Sequence, residues 1–428
     1  MPTLRDSHGL WAMTAPEAPR TPVLTGRLSA DVAVVGAGYA GLSAALHLAG
    51  RGIDVVVVEA AEAGFGGAGR NVGLINGGMW VMPDDLMRLL GEPYGSRCLG
   101  LLSEAPLLVR EIIEDNAIDC ELRKDGTLHL AAGAAGLVEL RERHRQWTAL
   151  GAPVELLSRE ETARRTGSPA YEGALFDPRA GTLQPLAYAR GLARAAIAAG
   201  ADLFTGSPVV AIEPDGARWR LLTPGGSVSA DWVVVATDAY STGPWKVVRD
   251  EQVHLPYFNF ATEPLPAAVR RSILPAGEGC WDTNTILSSF RMDAAGRLVF
   301  GSFGALRNSG RAIHRAWAMR SLRRLFPQLR DVRFQSGWYG SIGMTSDAVP
   351  RFHRFAERVV GFSGYNGRGI APGTVFGKVL AGHVAGEIAD AGLPLPVTLP
   401  ASRPFRALRE AYYEAGAQMA HFAGARAG

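Results

Sequence analysis

"VVGAGYAG" (residues 34–41) joins two kinds of periodicity, and that junction decides how the chain folds. Before it, "DVAVV" (31–35) is short, apolar and β-branched, the pattern of a strand buried on both faces. After it, Leu42, Ala45, Leu46 and Ala49 recur at i, i+3, i+4 and i+7, which predicts a helix from Tyr39 onward. "RG" at 51–52 ends that helix, and "IDVVVV" (53–58) reads as a second buried strand leading to Glu59. A β-turn-α-β unit with three glycines in its turn is a phosphate-binding geometry. Gly36 permits the tight turn, Gly38 lets the backbone approach a pyrophosphate, and Gly41 lets helix and strand pack closely. The helix head offers unpaired N–H groups to the anion. Glu59 is placed to accept hydrogen bonds from a ribose diol and to repel a 2′-phosphate.

The rest of the composition narrows the class. A chain of 428 residues that is 47% hydrophobic can build a sizeable core in more than one lobe. The net charge is +3, lysine occurs only at 124, 246 and 378, and the arginines are scattered among acids. That pattern argues against a nucleic-acid partner and against a membrane-surface helix. Cys98, Cys120 and Cys280 have no metal-ligand or redox spacing, His254, His314 and His353 none either, and no metal is expected. The apolar runs are too short or too glycine-broken to span a bilayer, and no signal peptide is evident. A reduced, cytoplasmic location is the expectation.

The glycine turn alone does not distinguish FAD from NAD. Three later stretches bear on the choice. "GFGGAGRNVGLINGG" (64–78) is too glycine-rich for a helix or strand, yet carries Val72, Leu74 and Ile75, which suits a loop closing its amides on a ligand. "ADWVVVATDAYS" (230–241) is another short buried strand, ending in small residues beside the same crevice. "VVGFSGYNGRGIAPGTVFGKVLAGHVAGEIA" (359–389) reads as strand, glycine-rich turn and helix. It lacks the second strand and acid of a further dinucleotide unit, and a helix head aimed at a reducible ring suits it better.

In this order these stretches resemble the D-amino-acid-oxidase-like superfamily of FAD oxidoreductases. The resemblance spans nearly the whole chain, from "LWAMTAPEAP" through "GAGRNVG", "FATEPL" (260–265), "GRLVFGS" (296–302) and "GWYGSIGMTSDAVPRF" (337–352) to "GYNGRGIAPG". It is strongest to the γ-glutamylputrescine oxidase-like branch, related to glycine and sarcosine oxidases, although Val72 departs from that branch's GRNGG loop. The resemblance implies a mixed α/β fold: a Rossmann-like FAD-binding lobe (1–80, 150–243, 338–428) and an antiparallel-sheet substrate lobe (81–149, 244–337). Helical periods at 101–118 and 134–151, and β-rich stretches at 251–265, 283–293 and 296–306, agree with this.

The same resemblance implies FAD contacts at Gly36, Gly38, Ala40 and Gly41, then at Glu59 and Ala60. Further contacts are expected from Gly69, Arg70, Asn71, Val72, Gly73 and Leu74, from Val209, Ala236 and Thr237, and from Gly367, Arg368, Gly369 and Ile370. Relatives that bind flavin covalently carry a cysteine within the stretch matching "GSIGM" (340–344) or a histidine at the position of Arg70, so non-covalent FAD is expected. Sarcosine oxidase-like members hold a lysine over the flavin from the strand matching "GRLVFGS", where this chain has only Arg297 nearby.

The activity implied is hydride transfer to FAD from the carbon beside the nitrogen of a primary or secondary amine, giving an imine that hydrolyses. The cofactor carries that chemistry, so the lack of a catalytic dyad is no objection. Oxygen or another acceptor would reoxidise the flavin, with an oxidase favoured. Arg368, Asn366 and Arg291 are the catalytic candidates. Trp80, Phe258, Trp338 and Tyr339, with Arg291 and Asn366, are the candidates for substrate contact. For each aromatic, ordinary core packing competes, and a solvent-facing role competes for Arg291. The alternative is a flavoprotein subunit of a hetero-oligomeric amine dehydrogenase, or a non-catalytic flavin scaffold. A two-nucleotide monooxygenase lacks its second motif, and the sequence leaves the oligomeric state open.

Overall fold

The computed structural model describes residues 7–424. Its central strand, Gly26–Val35, is buried over Val32–Val35 and pairs in parallel with Val55–Val58 on one side and Gly226–Val235 on the other. Such two-sided burial is why these strands read as unbroken valine runs. The strand begins at Gly26, not at Asp31 as the apolar run suggests, because Gly26–Ala30 keep pairing with Gly226–Ala230. Backbone pairing, which hydropathy does not report, sets its length.

The parallel core continues through Asp202–Phe204 beyond Val55–Val58 and through Val359–Ser363 beyond Gly226–Val235. An antiparallel strand, Arg351–Ala356, and the short Val397–Thr398 close one edge, and the hairpin 211–222 hangs off Gly226–Val235. The helix Tyr39–Ala49 starts where its periodicity begins and packs against the buried helix Ile370–Val384. Gly36 has φ +103°, and a Cβ there would lie 2.9 Å from the Ala236 carbonyl oxygen. A Cβ on Gly41 would lie 2.0 Å from the Gly36 carbonyl oxygen, so close packing excludes any side chain.

The second sheet has eight strands in the order Phe334–Met344, Val253–Thr262, Leu298–Phe303, Ser288–Met292, Gly279–Asp282, Thr127–Leu130, Ala174–Asp177 and Glu155–Leu157. All neighbours are antiparallel except Gly279–Asp282 with Thr127–Leu130. Helix Asn308–Leu325 covers one face through a core that includes Phe258, Phe290, Phe300 and Trp317. The C-terminal helix Arg406–Ala423 packs on that helix and on Val253–Thr262.

The expected lobe boundaries differ from this at three places. Glu155–Leu157 and Ala174–Asp177, placed with the FAD lobe, hydrogen-bond within the second sheet: Thr127–Leu130 offers Ala174–Asp177 an antiparallel edge, and Ala174–Phe176 in turn offers one to Glu155–Leu157. The C-terminal helix, also placed there, lies on the second sheet. Helix Tyr94–Asp115, placed with the substrate lobe, packs on Ile370–Val384, and its Cys98, Leu102 and Val109 join the core of the parallel sheet.

A short helix, Leu10–Thr14, lies in the seam between the lobes. Leu10 and Trp11 are fully buried with Leu186, Ala261, Val299 and Trp338. Among the described residues, no helix is long and apolar enough to cross a membrane.

Candidate functional site

A cavity of about 970 Å³ runs from the glycine turn to the second sheet. At its first end it is lined by Gly36, Gly38, Ala40, Glu59 and Ala60, with Val209, Ala236 and Thr237 beside them. A Cβ on Gly38 would meet only the Ala68 Cβ, at 3.9 Å, so this position opens into the cavity. The Glu59 carboxylate is held by backbone N–H groups, accepting from Ala37 at 2.8 Å and from Ala61 at 2.9 Å. Burial pushes its pKa up and these N–H groups pull it down. Each of its oxygens keeps a lone pair for a hydroxyl donor.

At the middle of the cavity Gly367, Gly369 and Ile370 bring the head of helix Ile370–Val384 to the wall. The first N–H groups of a helix have no intrahelical partner and carry its positive dipole end, so an electron-rich group is favoured there. Asn71, Val72 and Leu74 line the wall opposite, and Asn71 braces its own loop. Its Nδ2 donates to the Gly67 and Ala68 carbonyls and to the Tyr39 hydroxyl, and its Oδ1 accepts from the Gly73 N–H at 2.9 Å.

The far end is aromatic and cationic. The Arg368 guanidinium sits 4.8 Å from the Trp80 ring and 5.4 Å from the Trp281 ring, and Nη1 donates to the Gly77 carbonyl at 2.8 Å. Trp281 is backed by His129, stacked at 4.8 Å. Among the described residues Arg368 has no carboxylate within ion-pair distance, and Nε of Arg368, Nε1 of Trp281 and Oη of Tyr365 have no hydrogen-bond partner. Burial, reinforced by the positive charge of Arg143, pushes the Arg368 pKa down to about 9. The same burial, with Arg143 and Arg368 nearby, pushes His129 far below its usual value and keeps it neutral. Arg143 is better provided for: it donates to the Trp80 carbonyl at 2.9 Å and lies 3.6 Å from Glu139.

Several expected contacts fall elsewhere. Arg291 does not line the cavity and is not solvent-facing: it is fully buried, donates to the Val72 and Met292 carbonyls, and lies 5.0 Å from the Trp11 ring. Trp338 packs edge-on against Trp11 at 5.3 Å and donates to the Arg70 carbonyl, behind the wall. Tyr339 points from the opposite face of its strand and is 36% exposed. The side chain of Arg70 lies 4.7 Å from the Phe65 ring and donates to the Phe65 carbonyl. Gly41, Gly69 and Gly73 are packed against backbone carbonyls of Gly36, Gly64 and Leu183. Asn366 reaches the wall, but at φ +51° its amide is spent on the turn, accepting from the Thr345 N–H and donating to the Gly364 carbonyl. Arg297 pairs with Asp293 and Gln335, outside the cavity. Phe258 and Trp80 line it.

Sequence reasoning did not single out Trp281, Tyr240, Tyr257 or Ile342, all of which line the cavity. Tyr240, inside the quoted "ATDAYS", and Ile342, inside "GSIGM", lay in stretches that carried a signal; Trp281 did not.

A long cavity with backbone N–H groups at one end and aromatic and cationic groups at the other belongs to a dinucleotide-dependent redox protein. Comparison of the sequence makes the assignment specific: the family model described as FAD dependent oxidoreductase (DAO) matches residues 31–382, and the chain belongs to that family. The γ-glutamylputrescine oxidoreductase of Escherichia coli is 33% identical over 408 residues, covering 90% of this chain and 92% of that one. The probable oxidoreductase OrdL of Haemophilus influenzae is 33% identical over 379 residues, covering 86% and 85%. The crystal structure of glycine oxidase from Geobacillus kaustophilus shares the fold, with a TM-score of 0.69 at 22% identity over 85% of this chain and 96% of that one. The cofactor is FAD, and the residues fit it: an open Gly38, an acid at the end of the second strand, and a helix head facing the middle of the cavity.

Proposed function

We propose that the chain oxidises a primary or secondary amine that also carries a carboxylate. One observation supports this above others. Arg368 is a buried cation on the cavity wall with no acid to pair with among the described residues, and a buried charge is costly unless an opposite charge meets it. A carboxylate lying between Trp80 and Trp281 would accept from the free Arg368 Nε and from Trp281 Nε1, both now unpartnered. The two rings would sheathe the hydrocarbon arm of such a substrate. Bound FAD supplies the two-electron acceptor for the hydride leaving the carbon beside the nitrogen.

The chain's own part is to bind, orient and exclude water. Gly38 and the neighbouring N–H groups hold phosphate, Glu59 accepts from ribose, and the N–H groups of Gly369 and Ile370 favour negative charge at the middle of the cavity. With Cys98, Cys120 and Cys280 all buried and none on the cavity wall, FAD is held without a covalent bond. Acid precipitation should give a colourless pellet and free FAD. Oxygen is the acceptor we favour, because a cation inside the cavity would attract negative charge developing on oxygen; peroxide release during turnover tests this.

The decisive experiment is anaerobic bleaching of the yellow protein by amines tested as matched pairs, each as free carboxylate and as its amide. Removing one partner of a buried charge pair costs about 2–5 kcal/mol, so the carboxylates should bleach the protein about 10²-fold faster. Equal rates would remove the anionic group from the proposal. No bleaching by any amine would favour the dehydrogenase-subunit or scaffold reading.

A further inference from the structure

Behind the Phe258 wall of the cavity two histidines meet. His314, from helix Asn308–Leu325, and His421, from the C-terminal helix, bring their Nδ1 atoms to 2.8 Å, and both rings are buried. His421 stacks on Trp317 at 3.9 Å, and His314 stacks on Phe258 at 5.0 Å. The Nε2 of His421 lies 3.4 Å from the Ser302 hydroxyl, and that hydroxyl donates to the Leu287 carbonyl at 2.8 Å. Phe258, Ser302 and Leu287 all line the cavity, and Phe258 and Ser302 face each other in register across two strands.

The hydrogen bonds fix the protons. Ser302 gives its only proton to Leu287, so its oxygen accepts and His421 Nε2 carries the N–H. A neutral imidazole has one N–H, so His421 Nδ1 accepts and His314 Nδ1 donates. His314 Nε2 is then bare, and among the described residues it is indeed an atom without a partner. Two neutral rings satisfy this chain in one arrangement. A further proton must go on His421 Nδ1, where it faces another N–H, or on His314 Nε2, which has no acceptor among the described residues.

We propose that His421 is a positioning residue for this wall of the cavity, and that the His314–His421 pair holds the C-terminal helix in place only while both rings are neutral. Calling the wall substrate-facing rests on the function proposed above; the latch itself does not. The charged groups around the pair do not relieve a second proton. Glu414 favours charge on His314 but is itself paired with Arg307. Arg320 donates to the His421 carbonyl, and both it and His314 oppose charge on His421. Val253–Thr262 carries His254, whose backbone N–H donates to Glu410 farther along the helix, and Tyr257, whose phenol burial keeps neutral. Leu298–Phe303 presents Ser302 and no charge.

Burial pushes His314 down to about 4 and His421 down to about 3. A histidine released to solvent titrates near 6.5, so docking is fully favoured above that pH and weakens as pH falls from 6.5 toward 4. For one proton taken up, docking at pH 5 should be about 30-fold weaker than at neutrality.

Hydrogen exchange of residues 406–423 in the FAD-loaded protein, corrected for intrinsic rate, reads this directly. Protection should fall about 30-fold between pH 7.5 and pH 5, while helix Tyr39–Ala49 stays protected. In His314→Asn the amide can donate to His421 Nδ1 or, turned over, accept from it, so a protonated His421 stays paired. That variant should lose less than about 3-fold, and its KM for a reducing amine should stay flat where the wild-type KM rises. Nitrogen-15 spectra of histidine-labelled wild type need no variant: they should show His314 as the Nδ1–H tautomer and His421 as Nε2–H. Wild-type protection that is independent of pH, a wild-type-sized loss of protection in His314→Asn, or two Nε2–H tautomers would each overturn the proposal. The exchange and tautomer readings hold whichever amine reduces the flavin, so they stand apart from the test of substrate class.

Discussion

The two sheets meet the cavity by different means. The parallel sheet meets it largely with backbone: Gly36 and Gly38 after one strand, and Gly367, Gly369 and Ile370 after another, present N–H groups, with Glu59 and Arg368 as the charged side chains added to them. The antiparallel sheet meets it with side chains, Tyr257, Trp281 and Ile342 among them. Recognition by backbone needs residues that stay out of the way, whereas recognition by side chain needs a particular shape and charge. The first kind should hold a cofactor common to many relatives, and the second should choose the substrate.

The sharpest way to break this contrast uses two glycines of one turn. Gly41→Val puts a Cβ 2.0 Å from the Gly36 carbonyl oxygen, and should cost more than about 4 kcal/mol and yield little folded protein. Gly38→Val meets no protein atom closer than 3.9 Å at Cβ, so the apoprotein should unfold within about 0.5 kcal/mol of wild-type apoprotein but purify without yellow colour. Full FAD occupancy in Gly38→Val would show that the pyrophosphate does not approach there.

Two buried arginines sharpen the contrast, Arg368 from the turn after a parallel strand and Arg291 from the second sheet. Arg368→Ala should keep FAD bound and lose about 10²-fold in kcat/KM with a carboxylate-bearing amine, and much less with the matched amide. Arg291, tied to two carbonyls and away from the cavity, should behave oppositely. Arg291→Met leaves the Val72 carbonyl without its donor and should cost about 1–3 kcal/mol of stability with kinetics unchanged. Denaturant melts and stopped-flow reduction on both variants separate the two roles. A kinetic effect at Arg291 that exceeds the stability effect would return it to the site.

This difference also explains what could be read from the sequence. Glycines mark where a backbone must be approached, so the turn at 36–41 and the turn before helix Ile370–Val384 were legible. So was the parallel sheet, whose strands are buried on both faces and announce themselves as valine runs. The substrate wall was not. Phe258 lines the cavity while Trp338, equally apolar and on the adjacent strand, packs behind it. Hydropathy distinguishes inside from outside, not cavity from core. Arg291 reads as a polar residue mid-strand, and its partners are carbonyls, which no side-chain pattern reveals. The lobe boundaries slipped for a similar reason: edge pairing places Glu155–Leu157, and nothing in those three residues names the strand they join.

Trp11 gives the smallest expected effect. Its indole donates to the Asn71 carbonyl at 2.9 Å, so Trp11→Phe should cost about 1 kcal/mol for that bond, plus a little packing against Trp338. Its position along the chain has a larger meaning. On a ribosome residue 11 emerges long before residue 338, yet its burial site includes Leu186, Ala261, Val299 and Trp338. The short helix at the head of the described chain therefore has nowhere to settle until most of the polypeptide has been made. It is a clasp that shuts late, holding the flavin loop through Asn71 only after both sheets exist. Nascent chains halted before Trp338 should leave Trp11 open to protease and to chaperone, and release of the completed chain should close it.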